Sequence, residues 1–152
     1  MSIQQIIDTV SGLDGALVLA PEAGSRAPEI AWGDFFFSYA PSGEPEDHDQ
    51  PYATIVTKDY PDDSASRLGD GRWRVNIHVD RATFQELVGE DPRHLALRRD
   101  VSHTDVFLPH PVYGALSWVS VVNPDTTLPQ VLDLVRSAHA AARARTERRR
   151  RS

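Results

Sequence analysis

The apolar positions of this chain follow two rhythms, one helical and one of strict alternation. Ile3, Ile6, Ile7 and Val10 recur on one helical face. Ser2 stands three residues before Gln5, the spacing of a capping box, and Gly12 and Gly15 close the helix. Ala16–Ala20 is a short apolar run that predicts a strand leading into a Pro-Glu-Ala-Gly turn. Ile30–Tyr39, dense in aromatics that favour β structure, predicts a second extended segment. Tyr52–Lys58 predicts a third. Arg72–Val79 alternates without a fault: Trp73, Val75, Ile77 and Val79 share one face, Arg74, Asn76 and His78 the other. Such alternation marks a strand with one buried face and one face expected to be wet.

Further along, Asp80 is placed to cap a helix using Phe84, Leu87 and Val88, and Gly89 stops it. Residues Glu90–Asp100 have room for another helical turn or two. Thr104–Leu108 and Ala115–Val122 predict two final strands around a His-Pro-Val-Tyr-Gly turn. Thr126 or Thr127 then caps a long helix with Pro129 in its first turn, where a missing N–H costs little. Its apolar stripe is Leu128, Val131, Leu132, Val135, Ala138 and Ala142. Between the strands, Pro41–Pro51 and Asp59–Gly71 read as exposed polar loops. The order is helix, about three strands, helix, two strands, helix. Strands joined by loops favour antiparallel pairing, so an α+β fold follows: a two-layer sandwich with helices on one face of a mostly antiparallel sheet.

Composition narrows the function classes. A length of 152 residues suits one domain, expected over 1–147, with 148–152 as an arginine-rich disordered tail. There is no cysteine, which removes disulfides, thiolate metal sites and cysteine nucleophiles. No apolar run approaches the ~20 residues that span a bilayer, and the first ten residues are amphipathic, unlike a signal core. A cytoplasmic protein without membrane contact is the expectation. The formal net charge is -6, but the last ten residues carry about +5, leaving about -11 on the rest. An acidic body opposes broad nucleic-acid binding, and an arginine-rich end is ordinarily a solvated one.

The stretches LVLAPEAG, PEIAWGDFFFSYAP, QPYATIVTKDYP, GRWRVNIHVDRATF and LPHPVYGALSWVSVVNP resemble an uncharacterised bacterial family, domain-of-unknown-function family 6194, over nearly the whole chain. That family has no established activity to carry over. In pattern and order the chain also resembles the MmcQ/YjbR-like proteins: an opening helix, a strand like WRVNIHV, a His110…Trp118 segment and a closing helix like Leu128 to Leu132. This second resemblance implies an α-β(3)-α-β(2)-α arrangement related to secretion chaperones. DNA binding has been suggested for some of its members.

Arg74, Asn76 and His78 are the leading candidates for a site. On a strand, side chains two residues apart lie ~7 Å apart on one face, so the three can meet one anionic or polar ligand. Lys58, the chain's single lysine, ends the neighbouring predicted strand and can join them. The alternative reading is a solvated strand face. His110, Tyr113 and Trp118 bracket the last turn and can line a pocket, or pack with satisfied polar tips. Glu46, Asp47, His48 and Asp49, and separately His103 and Asp105, are metal-donor types without a metal-ligand spacing. There is no G-x-S-x-G elbow and no phosphate-binding glycine loop, and no local motif nominates Ser38, Ser117 or Ser120 as a nucleophile. The expectation is a small binding or interaction module with no cofactor or metal. Its partner is an unknown small anionic ligand or a protein, and it acts as a monomer or homodimer. A second reading is an enzyme on a small anionic substrate, with His78 as general acid–base and Arg74 and Lys58 holding the anion. A weaker third is nucleic-acid contact through the arginine tail.

Overall fold

The alternating strand and the helical stripes meet as the pattern requires in the computed structural model of the chain, which describes residues 2–43, 50–95 and 99–151. Its elements are α1 (Ser2–Ser11), β1 (Ala16–Leu19), β2 (Phe35–Tyr39), β3 (Ala53–Val56), β4 (Arg74–His78), α2 (Arg81–Val88), β5 (Leu108–Pro109), β6 (Trp118–Val122) and α3 (Leu128–Arg151). Among the described residues the strands form one antiparallel sheet in the order β1-β2-β3-β4-β6-β5. This is an α+β fold. Four strands, not about three, precede α2, because Ala16–Leu19 pairs along β2. The Ser2 side chain and the acidic run from Glu46 to Asp49 lie outside the described residues.

Register explains the core. Phe37, Ala53, Ile77 and Val119 stand opposite one another across four strands, and Phe35, Ile55, Val75 and Val121 form the next row. Both rows face the helices. Ile6 and Val10 of α1, Phe84 and Val88 of α2, and Val131, Val135 and Ala138 of α3 complete one buried cluster with them. Val75 and Ile77 are buried as the alternation demands, and Trp73 packs against the cluster half-buried. Trimming a buried methyl at the centre should be felt but survivable. Ile77→Val is expected to lower unfolding free energy by about 0.5–1.5 kcal/mol in urea titration; no loss at all would contradict this packing.

Capping and stop signals act as expected where the partner is near in sequence. Asp80 accepts a hydrogen bond from the Thr83 N–H at the start of α2, and Gly89 ends it in the left-handed region at φ 87°. Gly15 has φ 73°, and a Cβ there would lie 2.5 Å from the Tyr39 ring, so this turn admits only glycine. Elsewhere the outcome differs. Residues Glu29–Ala31 form a 3₁₀ turn, so β2 begins only at Phe35. The expected strand over Thr104–Leu108 shrinks to Leu108–Pro109 plus an isolated parallel bridge at Thr104. The entry to α3 is served by a distant acceptor. Asp105 takes hydrogen bonds from the N–H groups of Asp125, Thr126 and Thr127 and from both threonine hydroxyls. Those bonds hold the Asp105 carboxyl well below the usual carboxylate range. At the other end α3 runs on to Arg151, with Thr146 buried, so Arg148–Arg151 continue the helix where a tail was expected. No described helix is long and apolar enough to cross a membrane.

Candidate functional site

The second face of the sheet carries Phe36, Thr54, Arg74, Asn76, His78, Trp118 and Ser120, in register across β2, β3, β4 and β6. Alternation suggested that this face is wet. Arg74 and Asn76 are instead 1% and 2% exposed. Loops on either side of the sheet fold over it. Residues 57–72 bring in Tyr60, Asp63 and Ser66, and residues 110–116 bring in His110, Tyr113 and Leu116. Between these covers and the strands lies a cavity of about 770 Å³, within the range of small-molecule sites.

The floor of the cavity is a polar network closed on itself. Arg74 donates from Nη1 to Asp63 Oδ1 at 3.0 Å and from Nη2 to Asp63 Oδ2 at 2.5 Å, a two-pronged ion pair. It also donates to Ser66 Oγ at 2.8 Å, and from Nε to Asn76 Oδ1 at 2.7 Å. Asn76 accepts a second bond from the Ser120 hydroxyl and gives its amide N–H to Thr54 Oγ1 at 2.9 Å. Burial alone would raise the Asp63 carboxyl. The hydrogen bonds and charge of Arg74, with a smaller pull from His110, more than reverse that and hold it below its ordinary value. Arg74 therefore arrives at the cavity with its charge already paired and four of its five N–H donors engaged.

His110 borders the network through Nε2, while its other ring nitrogen is held by its own turn. Its Nδ1 accepts from the backbone N–H groups of Val112 and Tyr113, both at 3.0 Å. An accepting Nδ1 places the ring proton of the neutral imidazole on Nε2, which lies 3.9 Å from Asp63 Oδ2 and 3.4 Å from Arg74 Nη2. Burial, then the charge of Arg74, push the His110 pKa down to about 4 against the opposing pull of Asp63. His110 is thus a neutral N–H donor at physiological pH.

The walls are flat and apolar. His78 stacks on Trp118 with ring centres 5.6 Å apart and planes 27° from parallel. Tyr113 leans on His110 at 5.0 Å. Phe36, Ile30 and Leu116 add apolar surface, and Ile30, Val112, Tyr113 and Leu116 stay substantially exposed around the opening. Burial lowers the His78 pKa, the charge of Arg145 lowers it further, and a hydrogen bond to the Leu116 carbonyl opposes them; the net direction is down.

Of the residues nominated from the sequence, Arg74, Asn76, His78, His110, Tyr113 and Trp118 all line this one cavity. Lys58 does not. Strand β3 stops at Val56, and Lys58 turns to Asp34, its Nζ 3.1 Å from Oδ2 and 5.8 Å from the Tyr60 ring centre. Asp34 is fully buried and also accepts from the Thr57 N–H, the Thr57 hydroxyl and the Tyr60 hydroxyl. Lys58 is a structural counter-ion there. Among the described residues no three His, Cys, Asp or Glu side chains converge as a metal would need; His103 pairs with Asp100, away from Asp105. Sequence reasoning missed Asp63, Tyr60 and Arg145. The signal for Asp63 was indirect: an arginine inside a strand needs a carboxylate if its face is covered. Arg145 carried no signal, being one arginine in a run.

Comparisons with curated proteins and with solved structures each found no match. Across residues 1–151 the sequence matches a family of unknown function, DUF6194, and the chain belongs to that family.

Proposed function

We propose that this protein is a small binding module that takes up an amphipathic small molecule in the cavity over the second sheet face. The observation that carries this reading is a cavity of about 770 Å³ with aromatic walls and a floor whose polar groups satisfy one another before any ligand arrives. Such a floor costs little to desolvate further, and flat walls reward a flat apolar body. The Nε2–H of His110 and the remaining Nη2–H of Arg74, their nitrogens 3.4 Å apart, are the donors left to orient a polar group at depth. A cytoplasmic location and the YjbR-like arrangement belong to this reading. They rest on the charge and hydropathy of the chain and on a similar order of elements, from which the chain departs by a fourth strand before α2.

The catalytic alternative draws less support from the same geometry. It asked Arg74 and Lys58 to hold an anion, and both are committed to carboxylates of the chain. It asked for a histidine poised near neutrality, and both cavity histidines are shifted down. Nucleic-acid contact through the C-terminal arginines gains no specific observation.

The uncharged dye N-phenyl-1-naphthylamine, which fluoresces in apolar surroundings, tests the binding reading. Saturable binding with one site per chain is expected. Tyr113→Ala, at a wall position half in water, should weaken it about tenfold while leaving the melting temperature close to the parent's. Absence of saturable binding by the parent protein would sink the proposal.

A further inference from the structure

Arg145 separates itself from the other arginines of α3. Arg143, two residues earlier, is spoken for: it reaches Glu147 Oε1 at 3.0 Å and Asp14 Oδ2 at 3.3 Å. Arg136 pairs with Asp133 at 2.9 Å. Arg145 makes no ion pair or hydrogen bond with any described residue, and it lines the cavity beside His78. It also lines a second, smaller cleft of about 450 Å³ between the start of α2 and α3, which shares His78 with the first. Arg145 is thus shared by the linings of both spaces.

We propose that Arg145 is the anion anchor of this site, and that the ligand is a flat apolar molecule bearing a carboxylate, sulfonate or phosphate. The proposal rests on the binding reading above and adds the charge to it. The other charges on the lining argue for this placement. Arg74 and Asp63 cancel at the floor. Asp62 and Arg145 are the exposed charges of the lining, and of the two only the cation attracts an anion. Arg145 is exposed, yet its neighbours desolvate it in part and Arg148 and Arg149 crowd it, and these effects lower its pKa. A cation in that condition gains more from a counter-ion than one in open water. The acids of the second cleft do not supply it: Asp80 is turned to the Thr83 N–H at the cap of α2. His78, stacked on Trp118 next to Arg145, lets an aromatic body slide along the wall with its anionic group toward α3.

The test compares two dyes that share one apolar body. N-phenyl-1-naphthylamine is uncharged, and 8-anilinonaphthalene-1-sulfonate carries a sulfonate on the same framework. The parent protein should bind the anionic dye more tightly. Arg145→Gln should weaken the anionic dye about tenfold or more and shift the neutral dye by less than about twofold. Arg145→Lys should recover part of the loss. Arg150→Gln removes the same net charge on the same helix outside the cavity lining, and should leave the preference intact. Neutral-dye binding with equal affinities for the two dyes, or a preference untouched by Arg145→Gln, overturns the anchor and leaves the binding reading standing. A loss shared equally by Arg150→Gln overturns it as well, since a diffuse field then explains the preference. If neither dye binds the parent, both proposals fall together.

Discussion

Asp63→Ala is expected to cost about 3–5 kcal/mol of unfolding free energy, the scale of a buried ion pair broken from one side. The cause is what remains. Arg74 is 1% exposed and is always protonated, so removing its carboxylate strands a full charge among Phe36, Asn76 and the strands. Against a domain stability of roughly 5–15 kcal/mol, that loss is a large share. The reverse lesion should be milder. Arg74→Met frees Asp63, which sits on a loop and can turn toward water. The double variant Asp63→Ala with Arg74→Met should recover much of the single Asp63 loss, because an apolar pair needs no partner. Urea titrations of the four proteins close the cycle, and an Asp63→Ala loss below about 1 kcal/mol would mean that water reaches Arg74. Asp63 also ties the loop 57–72 over the sheet, so the same variant should weaken dye binding along with stability.

The burial of Arg74 marks the limit of what the alternating pattern could say. Period-two alternation from Arg72 to Val79 sorted the side chains correctly, and Val75 and Ile77 reached the core. The pattern states which residues share a face, but not what covers that face. A polar strand face under a loop and one under water are written with the same letters. The cover came from Asp59–Gly71, whose Asp, Ser and Gly content is that of any surface loop, yet it holds the buried Ser66 and the partly buried Asp63. The same limit applied to the entry of α3. Thr126 and Thr127 stood at a capping position, but their N–H groups bond to Asp105, about twenty residues upstream and brought near by folding. Lys58 went astray by two residues of strand length: with β3 ending at Val56, its side chain meets Asp34 and never reaches the cavity. His110, Tyr113 and Trp118 were legible because a His-Pro turn between strands keeps its aromatics close in space as well as in sequence.

Acid should destabilise this protein in two successive windows, and the first belongs to His110. In the folded chain that imidazole stays neutral down to a pKa of about 4, held there by burial and by the neighbouring Arg74. In the unfolded chain it takes up a proton near its ordinary value of 6.5. Between those limits the unfolded state binds the extra proton, so stability falls as pH falls from 6.5 toward 4. Above 6.5 both states are neutral and the contribution is flat. The span corresponds to roughly 3 kcal/mol. His78, also shifted down, adds in the same direction. Asp63 acts later: its folded pKa lies below the ordinary 3.8, so its ion pair persists through the first window and is lost only below it. His110→Asn isolates the first effect. The Asn carboxamide oxygen can take the place of Nδ1 and accept from the Val112 and Tyr113 N–H groups, but it does not titrate. Urea midpoints of the parent should drop steeply between pH 6.5 and 4, whereas those of His110→Asn should drop with a visibly shallower slope. Parallel curves for the two proteins would show that His110 protonates as easily in the folded state as in the unfolded one. In that case its Nδ1 would not be held as an acceptor by the turn, and the Nε2 proton assigned to the cavity floor would lose its basis.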